Sequence, residues 1–139
     1  MIVLGACLVA HHVLALIVPS PWWVPDLTLV GLILAVTSTP RQWPLLSGLA
    51  GFLTMLWAIR NPQPVALAYG GLGGVVAWIT RRLDASDVRV QCFIVGSAGL
   101  LLSLGALWFE DLWSLPLVGA MGIRIVMTTG MVPVVRKFL

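Results

Sequence analysis

Charge is what this 139-residue chain has least of. Only 9% of its residues are Asp, Glu, Lys or Arg, where an ordinary soluble domain carries roughly a quarter. That scarcity excludes a conventional water-facing surface. With 60% hydrophobic residues and a mean hydropathy of +1.04, so short a chain cannot hide its apolar side chains in its own interior. Lipid is the expected solvent for most of it. Cysteine is also scarce: Cys7 and Cys92 offer neither the number nor the spacing of a disulfide framework or a metal site, and both read as small apolar residues. No Lys or Arg precedes the first apolar stretch and no small-residue cleavage site follows it, so a retained first helix is expected rather than a signal peptide. No pair of carboxylates lies inside an apolar segment, which argues against a proton-coupled transporter or an aspartyl protease. Ser47, Ser97 and Ser103 coexist with His11 and His12, but no surrounding motif singles them out for nucleophilic chemistry. The sequence therefore predicts neither an enzyme nor a cofactor or metal site.

Six apolar segments are present, at about 2–18, 25–39, 44–59, 64–80, 88–109 and 115–135. A helix needs roughly 20 residues to cross a hydrocarbon core of about 30 Å. The last two segments meet that length; the second, third and fourth are short, and the second is the one that could be re-entrant. The expectation is a single all-α membrane domain over 1–139, a bundle of six transmembrane helices joined by short connections. All nine prolines fall at segment ends or in connections, where a residue that breaks helix interiors belongs. All seven tryptophans (Trp22, Trp23, Trp43, Trp57, Trp78, Trp108 and Trp113) lie at or near segment ends, the level that indole prefers at a membrane interface.

The formal net charge is +3 and the sequence pI about 9.5. Because the bases sit at segment ends, they are read as topology signals and headgroup contacts, not as a nucleic-acid surface. With six spans, Arg41, Arg81, Arg82, Arg89, Arg136 and Lys137 share one side and Arg60 lies on the other. The positive-inside rule then puts both termini in the cytoplasm. The connection 81–89 becomes the longest cytoplasmic loop, and Asp26, Glu110 and Asp111 face outward.

Small residues recur four apart at Ser47/Gly51 and Gly70/Gly74. Such faces let helix backbones approach closely and are candidates for packing within the chain or against a partner. The run Gly70-Gly71-Leu72-Gly73-Gly74 lacks the spacing, the preceding strand and the Lys-Ser/Thr of a phosphate loop. Arg124 is the one base deep in a span, about ten residues or roughly 15 Å from the outer end of its helix. An intramembrane arginine is costly and marks a functional site or a structural ion pair; its available acids are Asp26, Glu110 and Asp111. His11 and His12 are neighbours on a helix and point about 100° apart, so they cannot serve one site together.

The order of these features resembles a known family. Pro21-Trp22-Trp23-Val24-Pro25-Asp26-Leu27 leads into the apolar stretch 28–35. The basic turn Thr39-Pro40-Arg41 follows, then Leu46-Ser47-Gly48-Leu49-Ala50-Gly51-Phe52-Leu53. Finally Leu67-Ala68-Tyr69 begins a small-residue helix that ends in Arg81-Arg82. Over roughly 21–82 this is similar to MreD, the rod-shape-determining membrane protein of bacteria, in a short and divergent form. The resemblance implies a six-helix bundle like the substrate-binding subunits of energy-coupling-factor transporters. It also implies a non-enzymatic role in the inner membrane, holding an MreC-like protein and peptidoglycan synthases in an elongation complex linked to MreB. Under it, Trp22, Trp23, Asp26 and Arg60 are candidate contacts to an outer partner, and Arg81, Arg82 and Arg89 to a cytoplasmic one. Two alternatives stand beside it. An energy-coupling-factor substrate-binding subunit would need a polar pocket open to the outside, for which Arg124, Asp26, Asn61 and Gln63 are the available residues. An accessory subunit of another membrane complex would need only the loop-poor bundle.

Overall fold

The segment Leu27–Ser38 contains no charged residue and is apolar on every face. A helix of that kind has no side to turn to water and must be surrounded. In the computed structural model, which describes residues 2–20, 23–57, 62–84, 86–110 and 114–138 apart from the side chains of Trp57, Pro62 and Glu110, this segment is the centre of the molecule. Its residues from Leu27 through Val36 are all buried. It is α2, between α1 (Ile2–Ile17) and a short 3-10 turn (Pro40–Gln42). Then come α3 (Trp43–Trp57), α4 (Pro62–Ile79), α5 (Val88–Glu110) and α6 (Leu115–Arg136). The protein is all-helical over the described residues. The consecutive pairs α1/α2, α3/α4 and α5/α6 make the most extensive contacts, and α2 also touches α3, α4, α5 and α6. The core is α2 together with Leu4 and Leu8, Leu46 and Ala50, Tyr69 and Val76, Ile94 and Val95, and Val132.

The ends of α2 follow from its flanking residues. Asp26 precedes the apolar run, and its Oδ1 accepts the Leu29 N–H at 3.0 Å, satisfying one of the free donors at the helix start. At the other end the hydroxyls of Thr37 and Ser38 donate to the Leu34 carbonyl, and that of Thr39 to the Ala35 carbonyl. The Ala35 carbonyl also accepts the Thr39 N–H, and Pro40 stops the helix. The second apolar segment thus yields a helix of only 12 residues, about 18 Å long.

Two helices, α5 and α6, are long and apolar enough to cross a membrane; α1, α2 and most of α4 are apolar but shorter. Only 28% of the α5 span and 17% of the α6 span is buried within the protein, so neither is the enclosed core helix of a globular domain.

One expectation about proline needs correction. Pro44, Pro62 and Pro116 do sit in first turns, but Pro133 lies inside α6, which runs on to Arg136. A proline there removes the N–H that would bond the carbonyl of Thr129. The Cys92 thiol, from α5, lies 3.9 Å from that same carbonyl oxygen. A neighbouring helix thus meets part of the lost bond, which lets the helix continue. Cys92 is therefore more than an apolar filler.

Candidate functional site

The head of α2 is where the chain concentrates its interior polar groups. Asp26 is placed there by capping, and each of its atoms is used. Its backbone N–H donates to Thr128 Oγ1 of α6 at 2.8 Å, and that hydroxyl donates to the Arg124 carbonyl at 2.7 Å. Its Oδ2 accepts the hydroxyl of Tyr69, from α4. The same Oδ2 lies 3.6 Å from Arg124 Nη2, and the two side chains are 13% and 25% exposed. His11 Nδ1 donates to the Pro25 carbonyl at 3.1 Å, tying α1 to the residue before Asp26. Of the three acids open to Arg124 in the sequence, Asp26 is paired with it among the described residues. Asp111 and the Glu110 side chain lie outside the described residues.

Above this cluster is a cavity of about 300 Å³. It is lined by Asp26, Leu29, Arg124 and Thr128 and reaches Pro64 at the start of α4 and Phe109 near the end of α5. The cavity lies where α4 and α5 pack only sparsely against each other. The head of α2 stands beside Arg124, while α6 continues about 14 Å further to Leu115. Leu102, Ser103 and Ala106 of α5 and Val65 and Ala68 of α4 line the walls. Asn61, offered in the sequence as a pocket residue, lies outside the described residues. Gln63 is exposed and does not line the cavity.

Tyr69 is the residue that sequence reasoning left without a role. It is the only tyrosine in the chain, and it stands in an apolar helix. A phenol placed there must find a partner for its hydroxyl, which was the available signal. Thr128, one helical turn after Arg124, carried a weaker one.

The histidines separate as their adjacency requires. His11 reaches across to Pro25, whereas His12 Nδ1 donates back to the Leu8 carbonyl of its own helix at 2.6 Å. No three His, Cys, Asp or Glu side chains among the described residues are grouped to hold a metal ion.

The remaining described candidates lie on the surface. Trp23 is exposed, and Trp22 and Arg60 lie outside the described residues. Arg81 and Arg82 follow α4 and Arg89 is in the first turn of α5; all three are exposed, and the Arg82 guanidinium sits 5.7 Å from the centre of the Trp78 ring. In this connection Asp84 Oδ1 accepts the Ser86 hydroxyl and N–H, which hold its carboxyl below the usual carboxylate range. Asp87 caps α5 by accepting the Arg89 N–H at 2.8 Å.

The small-residue faces pack largely against each other. A Cβ at Gly73 would fall 2.8 Å from Ser47 Cβ, one at Gly51 2.8 Å from the Ala66 carbonyl oxygen, and one at Gly74 3.1 Å from the Trp43 ring. The Ser47/Gly51 face thus closes the α3/α4 pair, with Gly73 as its main counterpart. A Cβ at Gly70 would meet nothing within 4 Å. No family model, curated protein or solved structure matches the chain.

Proposed function

We propose that this protein is a multi-pass, non-enzymatic scaffold of the bacterial inner membrane, of the MreD type. In this reading it joins an MreC-like protein to peptidoglycan synthases in the elongation complex. The observation that carries the reading is a convergence. Pro25-Asp26-Leu27 and Tyr69, two of the separate motifs on which the resemblance rests, meet through one carboxylate at the head of the central helix. A carboxylate shared among three helices holds them in place relative to one another.

The membrane part of the reading is supported by what faces outward. Val9 and Leu16 of α1, Phe52 and Leu56 of α3, Phe93 and Leu101 of α5 and Val126 of α6 are all exposed. Water-soluble monomers rarely present apolar surface on that scale. All six helices take part in the bundle, with α1 to α4 completing their crossings through their connections or a locally thinned bilayer. Both termini and the 81–89 connection lie on the cytoplasmic side. The exposed arginines Arg81, Arg82 and Arg89 are free for an inner partner or for lipid headgroups, and Trp23 for an outer one.

Affinity purification of the tagged full chain from native membranes in mild detergent, read by mass spectrometry, tests this. Recovery of an MreC-like protein or a peptidoglycan synthase is expected. The cavity above Asp26 favours a second reading, a substrate-binding subunit of an energy-coupling-factor transporter. Recovery of a pair of ATPase subunits instead would replace the first reading with that one.

A further inference from the structure

Among the described residues, Arg124 has more donors than it finds acceptors. Its guanidinium makes the long 3.6 Å contact with Asp26, and its buried Nε has no hydrogen-bond partner. Both Asp26 oxygens already accept from other donors, Oδ1 from the Leu29 N–H and Oδ2 from the Tyr69 hydroxyl, and the guanidinium stays at that long contact. A guanidinium presents a planar fork of N–H groups that suits an oxyanion. The Arg124 side chain is one-quarter exposed and lines the cavity. The other walls are mainly apolar, among them Val65, Leu102, Ala106 and Ile125, with the Ser103 hydroxyl between them. The volume of about 300 Å³ is at the lower end of the range for small-molecule sites, which are largely apolar with a few placed polar groups.

We infer that this cavity binds an anionic amphiphile, its oxyanion on Arg124 and its apolar chain between α4 and α5. A bare anion would leave the apolar walls unmatched, and a hydrocarbon would leave the guanidinium short of acceptors. The ligand is a membrane lipid with an acidic head or a free single-chain phosphate or carboxylate; the two share this chemistry. The inference rests on the membrane reading above but not on the identity of any protein partner.

The test is native mass spectrometry of the full chain purified in non-ionic detergent. Three probes are compared: monododecyl phosphate, dodecanol and inorganic phosphate. Monododecyl phosphate is expected to be retained as a one-to-one adduct, and the two others not. Arg124→Gln is expected to weaken retention about tenfold or more, the loss of a charge-assisted contact. Because that variant also disturbs the partner of Asp26, Ala106→Phe is run beside it. It fills the cavity from α5, leaves Arg124 and Asp26 in place and is expected to abolish the adduct. A phospholipid mass carried through purification identifies a lipid as the source; an empty protein that takes up monododecyl phosphate identifies a free amphiphile. Equal retention of dodecanol, saturation by inorganic phosphate alone, or wild-type retention by both variants overturns the inference. Carbonate extraction separates the failures: a chain released to the soluble fraction defeats the membrane reading itself, whereas a membrane-bound chain without adducts defeats only the ligand.

Discussion

The carboxylate of Asp26 and the hydroxyl of Tyr69, 43 positions apart in the chain, meet in a direct hydrogen bond at the head of α2. Through the same carboxylate α2 is tied to α6, by the ion pair with Arg124. One side chain therefore fixes three helices relative to one another. It also begins α2, because its other oxygen caps the helix.

Removing this carboxylate is expected to do more harm than removing either partner. Asp26→Ala strips the cap and leaves the Arg124 charge uncompensated, a loss of about 3–5 kcal/mol by the usual cost of breaking a buried pair. Tyr69→Phe loses one hydrogen bond, about 1–3 kcal/mol. Arg124→Leu, which leaves Asp26 bonded to Tyr69 and Leu29, is expected to fall between them and to weaken assembly. The measurement is unfolding by SDS titration followed by circular dichroism. Asp26→Leu combined with Arg124→Leu should lose less than the two single changes added together; strict additivity would show that the pair does not interact.

Gly70 and Gly73 lie in one helix and look alike in sequence, yet the substitutions should differ. A Cβ at Gly73 meets the Ser47 side chain at less than contact distance, so Gly73→Ala is expected to cost about 1–3 kcal/mol as an overpacked interface. Ser47→Gly in the same chain should recover part of that. Gly70→Ala meets open space and should be neutral, or stabilising by up to about 1 kcal/mol from helix propensity. The same unfolding assay reads both. A loss of the partner in the pull-down with Gly70→Ala, at unchanged stability, would assign the open glycine face to docking.

Much of the fold was legible because apolar length and proline position report on the same boundaries. All six segments became helices within two residues of their expected bounds, and the short second one became the buried centre because it carries no polar face. Arg124 was legible as an anomaly, since one base deep in an apolar stretch must have a reason. Its partner was not, because three acids lay at the right end of the bundle and only packing chooses among them. Nor was the cavity, which depends on how sparsely α4 and α5 pack against each other. Pro133 misled because proximity to a helix end looks the same in sequence whether or not a neighbouring helix supplies a donor.

The relation of Pro133 to Cys92 gives a separate test. Pro133→Ala restores an N–H for the Thr129 carbonyl and is expected to stabilise the protein, by less than the roughly 3 kcal/mol of a mid-helix proline because it lies near the end of α6. Cys92→Ala should destabilise the parent chain by up to about 1 kcal/mol through loss of a weak thiol hydrogen bond and some packing. In the Pro133→Ala background its effect should shrink, because the carbonyl no longer depends on the thiol. An unchanged effect of Cys92→Ala in both backgrounds would mean that the thiol acts by packing alone.

The six-span reading makes a prediction about sidedness that turns on α2. At about 18 Å, α2 is shorter than the hydrocarbon core and crosses only with the help of the residues on either side of it. If it crosses, reporters fused after Ser86 and after Leu139 both lie in the cytoplasm, on the side of Arg41, Arg81, Arg82, Arg136 and Lys137. A fusion after Ser20 then lies outside. Green fluorescent protein should be bright at the first two positions, and alkaline phosphatase active only at the third. If α2 instead returns to the side it entered from, every later connection changes sides. The 81–89 connection would then face outward with its arginines, against the positive-inside bias. Phosphatase activity after both Ser20 and Ser86 would establish that arrangement and overturn the six-span bundle.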